Sequence, residues 1–205
     1  MIQKNSTSGF SLVEVLVAIT VLLLVMVGPM RIMTQVNQSN TFSTDQTAAF
    51  FLAQEGLELV QLGRDSLVLG DLRDTILSAS TQPNPWAQFN TNFSACMRSG
   101  STIRYCGIAP ANNAAGYQVT DCNTNLANCV LHQTNDIDAR RYTHTVAGAT
   151  PTPFTRTIQI ALIPGTAGRP QGAVATSTVT WRSGNLIAEQ RVELVTYLTN
   201  VYDSQ

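Results

Sequence analysis

From Val15 to Met30 the chain is apolar and carries no charge, and Thr20 is the one hydrogen-bonding side chain in the run. Counted from Phe10, the apolar segment holds about 21 residues, which at about 1.5 Å per helical residue covers a bilayer core of roughly 30 Å. The pattern predicts a membrane-spanning helix over residues 10–31. Gly28-Pro29 is a weak point in it, because Pro29 has no N–H for the carbonyl of Val25 and its ring crowds the preceding turn. A simple kink where the helix leaves the membrane accounts for that. From Thr44 to Leu62 the apolar residues Ala48, Phe51, Leu52, Leu59 and Leu62 recur at three- and four-residue steps, with Glu55, Glu58 and Gln61 opposite them. This stripe is expected to dock on a globular domain, and Gly63 to end the helix.

The next stretch is less periodic. Ser66 to Ala79 fits either a short helix or irregular turns, with Gly70 arguing against a long helix. Pro83-Asn84-Pro85-Trp86 reads as a loop, with Trp86 buried beneath it. The C-terminal third alternates. Arg156 to Ile163 places Ile158, Ile160 and Leu162 on one face. Gly172 to Arg182 leads through Ser183-Gly184-Asn185 into Leu186 to Thr199, a hairpin pattern. On the last strand Ala188, Val192, Leu194 and Leu198 are expected to face the helix, with Glu189, Arg191 and Glu193 in water. The expected fold is α+β: a long N-terminal helix, membrane-spanning in its first half, packed on a small antiparallel β-sheet head. The boundaries are a polar segment 1–9, the helix 10–63 and a head 64–205.

Glu14 stands out because it puts a carboxylate inside the apolar helix. An acidic residue at the centre of a bilayer costs on the order of 3 kcal/mol on insertion scales. Glu14 lies only about 6 Å from the start of the span, so its side chain reaches the interface by snorkelling. An ordinary single-pass anchor with a shallow Glu is therefore one reading. The preceding residues favour another. Met1 to Gly9 (MIQKNSTSG) is a polar leader with one positive charge, Lys4, and it ends in glycine. A secretory signal peptide carries its small-residue cleavage site after the apolar region, and Gly-Pro-Met-Arg-Ile-Met after Val27 offers none. Cleavage after Gly9 would keep the helix and leave Phe10 as a new N-terminus. Glycine, phenylalanine, a glutamate fifth in the mature chain and an unbroken apolar run stand here as Gly9, Phe10, Glu14 and Leu16 to Val27. The arrangement resembles a type IV prepilin leader.

The resemblance implies that a membrane peptidase cuts after Gly9 and N-methylates Phe10, both acts done to this chain rather than by it. It implies that Glu14 pairs with the Phe10 amine of a neighbouring subunit during assembly. The implied partners are other pilin subunits, the prepilin peptidase/methyltransferase, a membrane assembly machine and, before assembly, the lipid bilayer. The implied location is the inner membrane as a single-pass protein, then an extracellular or periplasmic filament. Pilins often carry a helix proline about two residues later than Pro29. The stretches LAQEGLELVQLGRD and V-T-W…L-V-T-Y-L-T-N also resemble minor-pilin-type proteins. A minor pilin or pseudopilin is the expected role. The alternatives are a type II secretion pseudopilin that moves exoproteins, and a membrane-anchored ectodomain whose N-terminus is never processed.

Composition agrees with a secreted subunit. The 205 residues allow one globular domain beyond the helix, and the formal charge of −1 becomes −2 once Lys4 leaves with the leader. No polybasic tract points to nucleic acid. Cys96, Cys106, Cys122 and Cys129 read as two disulfides in an oxidising compartment. Nearest-neighbour pairing closes two small loops and is the expected connectivity, with the crossed pattern still open. Their x9 and x6 spacings suit zinc poorly. Asp121-Cys122-Asn123-Thr124-Asn125 starts like a calcium loop, with Asp136 and Asp138 nearby, but Leu126 replaces the sixth-position glycine and His132 the closing glutamate. A turn-rich disulfide loop explains these residues better. His132 and His144 stand without a catalytic motif around them, so neither enzymatic activity nor a cofactor is expected.

Overall fold

The computed structural model describes residue 9 and residues 11–77, 84–98, 100–113, 115–136, 140–165, 170–182 and 188–200. The chain divides into two compact units, Met1–Ser43 and Thr44–Gln205. Helix α1 (Leu12–Leu77) is the helix of the described part of the first unit and opens the second. It is the one helix among the described residues long and apolar enough to cross a membrane. Pro29 lies inside it without ending it.

In the second unit, α1 runs on past Gly63 to Leu77, contrary to the expected stop. The reason lies in packing. A Cβ at Gly63 would stand 2.6 Å from Phe93 Cζ and 3.1 Å from Tyr117 Cζ. The glycine therefore admits an aromatic layer against the helix backbone instead of capping a terminus. The docking stripe is also rotated from the expected one. Its buried residues are Ala49, Leu52, Ala53, Leu57, Leu59 and Val60, whereas Phe51 and Leu62 are exposed. The small residues Ala49, Ala53 and Gly56 let α1 approach the sheet closely, so side-chain size decides the face more than hydrophobicity does. Glu55 and Gln61 border that face instead of lying opposite it: Gln61 Nε2 donates to Thr196 Oγ1 at 3.2 Å.

The segment expected as a loop at Asn84-Pro85 starts helix α2 (Pro85–Asn92). Asn84 is its N-cap, its side-chain oxygen accepting from Trp86 N at 2.8 Å, and Pro85 takes the first turn, where its missing N–H costs nothing. Helix α2 delivers Trp86 and Phe89 to the core. Trp86, Phe89, Phe93 and Tyr117 form a continuous aromatic run with successive centroid separations of 5.3, 4.7 and 5.3 Å. Burial raises the pKa of Tyr117, and a hydrogen bond with Asn92 opposes it.

Among the described residues, seven strands form one antiparallel sheet: β1 (Cys106–Pro110), β2 (Tyr117–Asp121), β3 (Val130–Thr134), β4 (Tyr142–Thr143), β5 (Ala149–Pro164), β6 (Pro170–Trp181) and β7 (Gln190–Thr199). The long β5 is its spine. One edge of β5 pairs with β6, which in turn pairs with β7. Its other edge is shared by β3, over residues 149–155, and by β1 at Cys106↔Ile158. β2 and β4 extend β1 and β3. The expected alternation holds on β5, where Arg156, Ile158 and Ile160 are buried, but Leu162 at its end is 40% exposed. On β7, Leu198 is buried and Arg191 and Glu193 are exposed. The turn expected at Ser183-Gly184-Asn185 lies outside the described residues, although β6 and β7 pair as that reading requires.

Candidate functional site

In the first unit, Gly9 is exposed and non-helical, and Phe10 lies outside the described residues. Ser11 starts the helix: its carbonyl accepts from Glu14 N at 3.0 Å and Val15 N at 3.2 Å. Glu14 therefore sits in the first turn, where the unpaired N–H groups and the helix dipole favour a negative charge. Its side chain heads a groove along one helix face with Val17, Ala18, Val21, Leu22, Val25 and Met26. These follow Glu14 at steps of three and four, the spacing of a packing seam. The seam has no partner among the described residues: Val17, Val21, Leu22, Val25 and Met26 are all more than half exposed. Thr20 breaks none of this apolarity. Its hydroxyl hydrogen-bonds the carbonyls of Leu16 (3.0 Å) and Val17 (2.9 Å), so no polar group is left for lipid to desolvate.

The second unit holds the remaining sequence candidates. Cys96 is bonded to Cys106, and Cys122 to Cys129. The calcium-like run is occupied by its own loop. Asp121 Oδ1 accepts from Asn123 N (2.8 Å) and Nδ2 (2.7 Å), which holds its carboxyl below the usual range. Asn123 Oδ1 accepts from Tyr105 N at 2.8 Å, and Asn125 caps a 3-10 turn over Leu126–Cys129. Among the described residues no three His, Cys, Asp or Glu side chains converge on a metal-sized site. Asp138 lies outside the described residues.

A buried polar cluster between α1 and the sheet escaped sequence reading. Arg156 on β5 is 0% exposed. Its Nη1 donates to Leu52 O at 2.8 Å and to Glu55 Oε2 at 2.6 Å, and its Nη2 donates to Ile108 O. Gly56 makes room for it: a Cβ there would stand 3.1 Å from Arg156 Cδ and 2.9 Å from Ser177 Oγ. Glu55 reaches solvent along a cleft of about 310 Å³ lined by Ala48, Phe51, Leu52, Glu55 and Tyr142. Two imidazoles stand nearby, His144 close enough to feel the Arg156 charge. His132 Nδ1 and His144 Nδ1 stand 3.2 and 3.3 Å from one carbonyl, that of Val130. Burial pushes His144 down to about 4, and the positive Arg156 adds to the effect. The signal for Arg156 was present in the chain, since it shares the phase of Ile158 and Ile160 on the inward face.

Comparison with known proteins bears on the N-terminus. Residues 4–28 match the family model described as the prokaryotic N-terminal methylation motif. That motif is characteristic of type IV pilins and pseudopilins, and the long apolar helix fits it. No curated protein and no solved structure matches the chain.

Proposed function

We propose that this chain is a structural subunit of a type IV pilus-like filament, a minor pilin or pseudopilin, and not an enzyme. It is cleaved after Gly9, methylated on the new amine of Phe10, held in the inner membrane by α1, and extracted into a filament. Other pilin subunits, the prepilin peptidase and a membrane assembly machine are its partners. The observation that carries the reading is a glutamate in the first turn of an otherwise apolar helix, inside a segment that matches the methylation motif.

Physical chemistry gives that glutamate its task. In a bundle of apolar helices, Glu14 of one subunit meets the Phe10 amine of the next. Two opposite charges about 4 Å apart attract by about 4 kcal/mol at an effective dielectric near 20, against about 1 kcal/mol in water. A misregistered subunit leaves one charge buried and unpaired, which is strongly unfavourable. The pair thus selects the axial stagger, while the seam from Val17 to Met26 supplies the bulk affinity.

Two measurements test this. Mass spectrometry of the mature protein should give an N-terminal methylated Phe10; an intact Met1 would identify a plain anchor instead. Glu14→Ala should insert into membranes normally and be absent from sheared filaments. Incorporation at the wild-type level would refute the assembly role.

A further inference from the structure

We propose that the seam between α1 and the sheet in the second unit is an acid-sensitive latch, held shut while His144 is neutral and released when it takes up a proton. The release frees the α1 stretch over residues 48–56 and strand β4 from the sheet, and leaves the aromatic layer around α2 in place. The inference does not rest on the filament reading.

Charge is already crowded at this seam. Arg156 is already a buried cation, and Glu55 is the carboxylate that contacts it. The other groups facing the seam are His132 from β3, His144 from the segment after β4, and Tyr142, which lines the Glu55 cleft from β4. Strand β1 adds no titrating side chain, since Cys106 is in a disulfide and Gly107 and Ile108 do not ionise. A proton on His144 therefore places a second positive charge beside Arg156, and among the described residues the charged groups acting on the ring are the cation Arg156 and His132.

The His144 ring packs directly on β1. A Cβ on Gly107 would fall 2.6 Å from its Nε2, so the imidazole lies flush on the β1 backbone. Its Nδ1 shares the Val130 carbonyl with that of His132. Hydrating the charged ring requires β4 and its attached segment to lift. Lifting them uncovers Tyr142 and the Glu55 cleft, and with them the Arg156 contact that holds α1.

His144 titrates at about 4 in the fold against 6.5 for the free side chain. Stability from its neutral form is complete above about pH 6.5 and is lost as pH falls toward 4. The gap of about 2.5 units corresponds to a change of about 300-fold in the opening equilibrium.

Hydrogen–deuterium exchange on the full chain in detergent micelles, corrected for intrinsic rates, reads this directly. Between pH 7 and 4, amides of residues 48–56 and of β4 should lose about 100-fold or more of their protection, while α2 keeps its own. His144→Gln should flatten that loss. Unchanged protection in the wild type, the same loss in His144→Gln, or parallel loss in α2 would each overturn the latch. A ring titration of His144 by NMR in the wild type guards against a variant that misfolds. A midpoint near 4 supports the proposal, and one near 6.5 overturns it.

Discussion

Removing either member of the Glu55–Arg156 pair should harm the second unit unequally. Arg156 is 0% exposed and reaches Glu55 Oε2 at 2.6 Å, whereas the Glu55 side chain is 34% exposed. Glu55→Ala leaves a guanidinium that cannot lose its proton, with carbonyls of Leu52 and Ile108 as its remaining acceptors. Breaking a buried pair in this way costs about 3–5 kcal/mol, and the open cleft beside Glu55 points to the lower end, about 3 kcal/mol. Arg156→Met removes the buried charge itself and fills a similar volume. Glu55 then rehydrates through the cleft, and the loss should stay within about 1–2 kcal/mol. The double variant should resemble Arg156→Met alone, a coupling that a double-mutant cycle exposes. Urea unfolding of the full chain in detergent, followed by fluorescence of the buried Trp86 and Trp181, measures all three. If Arg156→Met proves as damaging as Glu55→Ala, the reasoning from an uncompensated buried cation is wrong.

Other outcomes follow from the same packing. Gly63→Ala should destabilise by about 1–3 kcal/mol despite alanine's helix preference, because its methyl would meet Phe93 at 2.6 Å. Gly70→Ala, with nothing within 4 Å of its Cβ, should stabilise by about 0.5–1 kcal/mol. The same urea titration separates the two signs. Replacing both cysteines of either disulfide by serine should cost about 2–3 kcal/mol in the chain-entropy model, since the bridges span separations of only 10 and 7 residues. A midpoint unchanged in urea would contradict it.

The long helix, the α+β class and the C-terminal sheet were legible in the chain because their periods, about 3.6 and 2, extend over many residues. Strands β1 to β4 were not, being two to five residues long. No alternation develops over so few positions, and their pairing is non-local: β1 and β3 pair with β5, and β2 and β4 in turn with β1 and β3. Gly63 shows a different failure. Glycine near the end of an apolar run signals a cap by local chemistry, but here a distant ring, Phe93, needs the missing side chain. The rotated docking face has the same origin, because Ala49, Ala53 and Gly56 are chosen for how near they let the sheet come. At the N-terminus, by contrast, Glu14 is conspicuous from the sequence alone, since a lone carboxylate in an apolar run needs no tertiary context, and residues 4–28 match the methylation motif without any fold being known.

Both disulfides bind chain beyond α1, closing Cys96 to Cys106 and Cys122 to Cys129. Neither staples the helix to the strands. A tensile load entering the second unit along α1 at Thr44 is thus borne by non-covalent links in series: Ala49 and Leu52 first, the Arg156 clamp next, and the Gly63 aromatic seat last. Such a joint peels from its leading end, and reducing agents would weaken the sheet's loops without loosening the grip on the helix.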